Sequence, residues 1–272
     1  MRFAIAAVLL SPFTAAALAA QQPARPPVWD VTLGAGAVVT PSYAGADEYQ
    51  AFPFPLTQVT WRNRVYLGQS NTGGGAGLGA YAIRTARLGL AVELGFLQNR
   101  PASRADALAG MQDRDFVATA GASLSYLIGP VQASLSASQG LNDGAGLLGS
   151  ARLGVSQALG RRVIASVGAG ATFANARQMR WDFGVTASEA ARRRDLIAAG
   201  DRRLETGDDR AYRPDAGLRQ VGASLSLTWL VTSHWAVVGF GGVDRLSDEA
   251  AASPLVRRRA QVSGGAGLGY RF

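Results

Sequence analysis

Chemistry in this chain has few residues to work with. Among 272 residues there is one histidine and no cysteine. That histidine, His234, lies beside Trp235, and barrel acyl hydrolases pair a histidine with an exposed serine. Without cysteine, thiol catalysis, disulfides and Cys-based zinc sites drop out together. A single histidine gives a transition metal little to hold. Two carboxylate pairs, Asp47 with Glu48 and Asp113 with Asp115, are candidates for Ca²⁺. That ion takes about 6 to 8 oxygens, and neither segment completes such a set, so both pairs read as solvated charge. Gly73-Gly74-Gly75-Ala76-Gly77 and Gly264-Gly265-Ala266-Gly267 look like phosphate cradles, but neither opens a helix or carries the Lys-Ser/Thr ending. The sequence therefore assigns no catalytic, cofactor-binding or metal residue.

Any such group would be positioned by long strands. Counting back from the C-terminus, Phe272, Tyr270, Leu268, Ala266, Gly264 and Val262 share one face, while Arg271, Gly269, Gly267, Gly265, Ser263 and Gln261 share the other. A period of two with one apolar face is a strand. A terminal aromatic on the apolar face resembles the ending of bacterial outer-membrane β-barrels, where aromatic rings rest at the membrane interface. The same alternation recurs at Trp29–Ala37, Leu88–Phe96, Val131–Ala137 and Val221–Val231. Runs of about 9 to 13 residues suit tilted membrane strands. Soluble sheets average only about 5 to 6. With 34 glycines and 17% charged residues, a helical bundle is disfavoured.

Twelve strands are expected, at about 29–39, 52–61, 64–70, 76–84, 87–97, 115–128, 131–139, 147–159, 162–173, 217–231, 235–246 and 259–272. The links alternate between short turns, taken as periplasmic, and longer outer loops, as this barrel class shows; only the link near Asn71 is short on the outer side. Trp29, Trp61, Tyr126, Trp229, Trp235, Tyr270 and Phe272 fall at the periplasmic ends, and Phe96, Phe116 and Phe173 at the outer ends, which gives two aromatic girdles. The fold class is thus an all-β, transmembrane antiparallel barrel, residues 29–272. His234 then lies in a periplasmic turn, away from the outer leaflet where barrel acyl hydrolases work. The longest outer loop, about 175–214, carries one helix, capped by Ser188, running to Ile197 and stopped by Gly200. Its Arg192–Arg203 portion reads as an insert dispensable for folding, either merely solvated or binding an anionic surface partner through its guanidiniums. Alternation puts Glu93, Arg152, Arg259 and Arg271 in the lumen, where they plug it or line a narrow anion path.

Residues 1–19 read as a secretory signal peptide: Arg2, an apolar run from Phe3, and Ala17-Leu18-Ala19 before cleavage. Residues 20–28 form a short periplasmic segment. The net charge of +8 would fit nucleic acid, but export excludes it. Outer-membrane lipid and lipopolysaccharide are the anions an exported surface meets.

Pro41-Ser42-Tyr43-Ala44-Gly45-Ala46-Asp47-Glu48-Tyr49 with Phe52-Pro53-Phe54-Pro55, Asp106-Ala107-Leu108-Ala109-Gly110-Met111, and Phe183-Gly184-Val185-Thr186-Ala187-Ser188-Glu189-Ala190 resemble motifs of the MipA/OmpV family. So do Tyr212, Ala216-Gly217-Leu218, Asp244-Arg245-Leu246 and Ser253-Pro254. The insert between Ala190 and Tyr212 departs from that pattern. The resemblance implies a non-enzymatic barrel in the cell outer membrane, without cofactor. It also implies a scaffold linking a membrane-bound lytic transglycosylase to a penicillin-binding protein in murein synthesis. The alternative is a small-solute channel, or a surface-binding barrel acting through its lumen or outer loops. Fold is fixed better than role by such a likeness.

Overall fold

The computed structural model describes residues 28–72, 75–97, 99–142 and 144–272. The expected signal peptide, nearly all of the 20–28 segment, and Gly73 and Gly74 lie outside the described residues. Twelve strands form one closed antiparallel ring in chain order. They are β1 (Trp29–Pro41), β2 (Tyr49–Trp61), β3 (Val65–Gln69), β4 (Ala76–Arg84), β5 (Leu88–Leu97) and β6 (Val117–Ile128). The second half comprises β7 (Val131–Gly140), β8 (Leu147–Ala158), β9 (Val163–Ala174), β10 (Gly217–Leu230), β11 (Trp235–Leu246) and β12 (Ala260–Arg271). The ring closes where β1 meets β12, with Thr32 opposite Arg271 and Val39 opposite Gly264.

Alternation decides which face meets lipid. Leu33, Val92, Leu94, Leu135, Leu153, Val167, Leu225, Val262 and Leu268 are all exposed on the outside of the ring. Trp29, Trp61, Tyr126, Trp229, Trp235 and Phe272 are exposed at one rim, Phe116 and Phe173 at the other. An exterior this apolar, ringed by aromatics, is that of a membrane-spanning barrel.

Two boundaries differ from expectation for physical reasons. β2 starts at Tyr49 and runs through Pro53 and Pro55, paired with β1 along its whole length. β3 pairs only with Val59–Trp61, so both prolines lie where β2 has a partner on one side only, and the missing N–H costs no ladder bond. Arg259 is not in the lumen: it precedes β12, and its Nε donates to the Leu246 carbonyl at the outer rim. Alternation had been carried one residue past the strand's end.

The outer links hold the helices. α1 (Ala176–Phe183) and α2 (Ala187–Ala198) lie between β9 and β10, and α3 (Asp248–Ala251) lies between β11 and β12. α1 was not expected. α2 is capped by Thr186 rather than Ser188: Thr186 Oγ1 accepts from Glu189 N while the Glu189 carboxylate accepts from Thr186 N, a reciprocal capping box.

Candidate functional site

The outer loops fold together into a cap. Three of them, between β1 and β2, β5 and β6, and β9 and β10, leave the twelve-stranded ring a third of the way round from one another. They nevertheless share one apolar cluster: Tyr43 and Ala46 from the first, Ala105, Leu108 and Met111 from the second, Val185 and Ala190 from the third, with Leu255 from the β11–β12 loop. Loops so spaced can meet only above the mouth of the barrel. A second cluster, with Met179, Phe183, Leu246 and Ala250, seats α1 and α3 on the rims of β9 and β11.

Polar side chains tie the cap by satisfying loop carbonyls. Tyr43 Oη donates to Leu255 O at 2.7 Å, and burial pushes the phenol up to about 12. Tyr212 Oη donates to Glu249 O at 2.6 Å, and Ser253 Oγ to Phe183 O at 2.7 Å. Gly45 N donates to Gln261 Oε1 at 2.8 Å, and Gln261 Nε2 returns a bond to Ala46 O at 3.0 Å. Those two bonds, with Tyr43, bridge the outer end of the β1–β12 junction. At its other end Arg271 Nη2 and Nε meet the Asp30 carboxylate at 2.9 and 3.0 Å.

The insert is not merely solvated. Arg193 has no exposed surface. Its guanidinium donates to Ala107 O at 2.9 Å, Ala109 O at 3.0 Å and Asp208 O at 2.6 Å. Asp208, itself buried, is gripped by both ends of the Arg257 guanidinium. Gly110, at φ +78°, lies so close that an added Cβ would meet Arg193 Cγ at 2.8 Å. The expectation of a solvated insert is therefore corrected at Arg193, which is buried in the cap. Burial alone would raise the Glu189 carboxyl. Donors from Thr186 and Gln112, with Arg114 nearby, outweigh it and hold the group below the usual range. Arg100, which donates to Asp182 O at 2.9 Å, is pushed down to about 10 by burial beside Arg114.

Below the cap, Glu93 is buried within the barrel and accepts from Tyr66 Oη at 2.6 Å, Ser70 Oγ at 2.7 Å and Asn71 N at 2.9 Å. Ser70 and Asn71 of the short β3–β4 link thus fold inward onto a strand carboxylate. Gly79 makes room for this: a Cβ there would overlap the Tyr66 ring. Arg152 also lies inward, as alternation placed it, facing Asp244.

The other candidates sit apart. His234 is exposed in the β10–β11 turn, its ring stacked on Tyr270 at 5.6 Å and its Nδ1 2.9 Å from Ser233 Oγ. Glu48 accepts from Asp106 N at 3.2 Å and Asp113 from Ala102 N at 2.7 Å, so one member of each carboxylate pair braces a loop. Among the described residues no group of three or more His, Asp or Glu is arranged to hold a metal. Gly264–Gly267 are paired strand residues of β12. No sequence signal marked Arg193, because an arginine in a charged stretch reads as solvated until the carbonyls it meets are known.

The family described as MltA-interacting protein MipA matches residues 33–272. The chain belongs to the MipA family. The residues that carried that resemblance, including Tyr43, Ala46, Leu108, Met111, Val185, Ala190 and Tyr212, are the ones that meet in the cap core. No curated protein matches the sequence. Among solved structures, the chain is similar to a loop-deletion mutant of OmpT, an outer membrane protein of Vibrio cholerae, at 8% identity and TM-score 0.37, covering 90% of this chain and 98% of that one. It is similar to the NanC porin at 6% identity and TM-score 0.36, covering 90% and 100%. The translocator domain of the autotransporter NalP from Neisseria meningitidis is similar at 13% identity and TM-score 0.36, covering 94% and 93%.

Proposed function

We propose that this MipA-family barrel is exported by an N-terminal signal peptide and works in the outer membrane as a scaffold, without catalysis of its own. Its partners are a membrane-bound lytic transglycosylase, as the family's name suggests, and a penicillin-binding protein. The observation that carries this reading is the cap. Loops from across the ring pack into one apolar core above the mouth, which speaks against a solute path through the lumen and leaves the periplasmic side for partners. Fold alone would not choose between these roles.

The test is direct binding of the mature barrel, in nanodiscs, to a purified lytic transglycosylase and to a penicillin-binding protein. The chain contains no lysine and no cysteine, so a contact is mapped by single introduced cysteines at the periplasmic turns. Saturable binding with turn-specific cross-links supports the scaffold. Absence of binding together with steady conductance in planar bilayers would replace it with the channel reading.

A further inference from the structure

The charge of this chain is unevenly placed. All 27 basic residues are arginine, and the net charge is +8. From Trp29 onward, the outer loops, outer strand ends and strand middles carry eighteen arginines and eighteen carboxylates, which cancel. The turn end of the barrel carries seven arginines and one side-chain carboxylate, Asp30. That carboxylate is already engaged by Arg271. The remaining six are Arg62 and Arg64, Arg84 and Arg87, and Arg161 and Arg162, all exposed. Among the described residues no ion pair involves any of them. Residues 1–29 contain no acidic side chain that could neutralise them.

We propose that the β2–β3 and β4–β5 turns form a binding site for the phosphate of anionic phospholipid headgroups in the periplasmic leaflet. The two turns are neighbours: both adjoin the short β3–β4 pair, and Tyr81 N donates to Arg64 O at 2.8 Å. Together they offer the guanidiniums of Arg62, Arg64 and Arg87, whose forked donors match phosphate oxygens, while the Arg84 guanidinium lies over the Tyr81 ring at 4.2 Å. Depth selects the ligand. Arg62 lies over the Trp61 ring at 5.1 Å, and Trp61 packs against Trp29 at 6.3 Å. Both rings are exposed at the rim, where tryptophan marks the headgroup level. Both turns are three residues long, which keeps the guanidiniums at that level, short of murein or an acidic protein surface further out. In the Arg-rich outer segment, by contrast, Arg193, Arg194 and Arg203 are paired with Asp208, Asp209 and Asp201.

The experiment uses the mature barrel in nanodiscs of phosphatidylethanolamine doped with either phosphatidylglycerol or cardiolipin. Retained lipid is read by native mass spectrometry, with inorganic phosphate as competitor. The wild type should retain the anionic lipid, and retention should fall with ionic strength. Replacing Arg62, Arg64 and Arg87 by Gln should lower retention by about fivefold for each arginine removed. Arg192→Gln with Arg194→Gln on the cap should leave retention unchanged. Heat-modifiable mobility verifies folding of each variant, and the salt dependence of the wild type stands whether or not a variant folds. Retention insensitive to salt, or equal loss in the cap variants, overturns the proposal. Displacement by equimolar inorganic phosphate would assign the arginines to free phosphate instead of lipid. Unchanged lipid with lost binding of a murein enzyme would assign them to a protein.

Discussion

Arg193 in the β9–β10 loop donates to the backbone carbonyl of Ala107 in the β5–β6 loop at 2.9 Å, with neither group reaching solvent. Removing the guanidinium by Arg193→Ala strands three carbonyls and leaves Asp208 short of a partner. Breaking a buried charged pair in this way costs about 3–5 kcal/mol. That loss should fall on the cap rather than the barrel: outer-loop proteolysis accelerates while heat-modifiable mobility is kept. Arg194→Ala, at an exposed pair with Asp209, should change cleavage little, within about 0.5 kcal/mol. Equal protection of both variants would show that the cap does not depend on its buried arginine.

Acid should open the same cap. Glu189 and Asp208 both have carboxyls held below the usual range. Their stabilisation is complete above the ordinary carboxylate range and is lost as pH falls through the depressed values. Tyr43 works in the opposite direction. Its raised phenol stabilises fully below its ordinary value of 10.0 and loses that contribution as pH climbs toward about 12. Protease nicking of the outer loops, measured across pH on folded barrel, should therefore rise at both extremes. A flat profile would contradict the pairing described.

Lipid exposure should be graded with depth along β10. Leu225 is 54% exposed near the strand's middle, and Leu218 lies at its outer end opposite Phe173. Leu225→Arg should cost about 2–4 kcal/mol and Leu218→Arg about 0–1 kcal/mol. Urea titration in bilayers separates them, and a reversed order would mean the strand is misplaced in depth.

Crowding inside the barrel should be felt at Gly79. Gly79→Val forces the Tyr66 ring away from Glu93, an overpacking worth about 1–3 kcal/mol. Tyr66→Phe keeps the ring and removes only its bond to the carboxylate. Near-ultraviolet dichroism of Gly79→Val should depart from the wild type, since that variant keeps both tyrosines and displaces the Tyr66–Tyr81 ring pair, 5.1 Å apart; an unchanged spectrum would contradict the crowding.

The strands were legible because lipid outside and small or polar residues inside impose a period of two on every long segment, and each short turn punctuates it. Arg259 was misplaced because alternation carries no mark of where pairing stops. The cap was the less legible part. The Thr186–Glu189 capping box could have been read from spacing alone, yet Ser188 offered an equally good local cap. α1 was hidden because its apolar positions, Met179 and Phe183, are buried against residues distant in sequence, including Leu246 and Ala250. The burial of Arg193 depends on carbonyls more than eighty residues away, and local composition does not encode that.

The junction of β1 with β12 is where the first and last strands meet, and in a ring of strands it would ordinarily be the easiest place to part. Here it is clasped twice, by Tyr43 and Gln261 at the outer end and by Arg271 with Asp30 at the other. The least-stitched neighbours are β2 and β3, which share three residue pairs against thirteen for β1 and β2. The barrel therefore unzips first in its own interior sequence rather than at its ends. Amides of β3 should exchange ahead of those of β12, with the first and last strands still joined while the wall beside them is already coming apart.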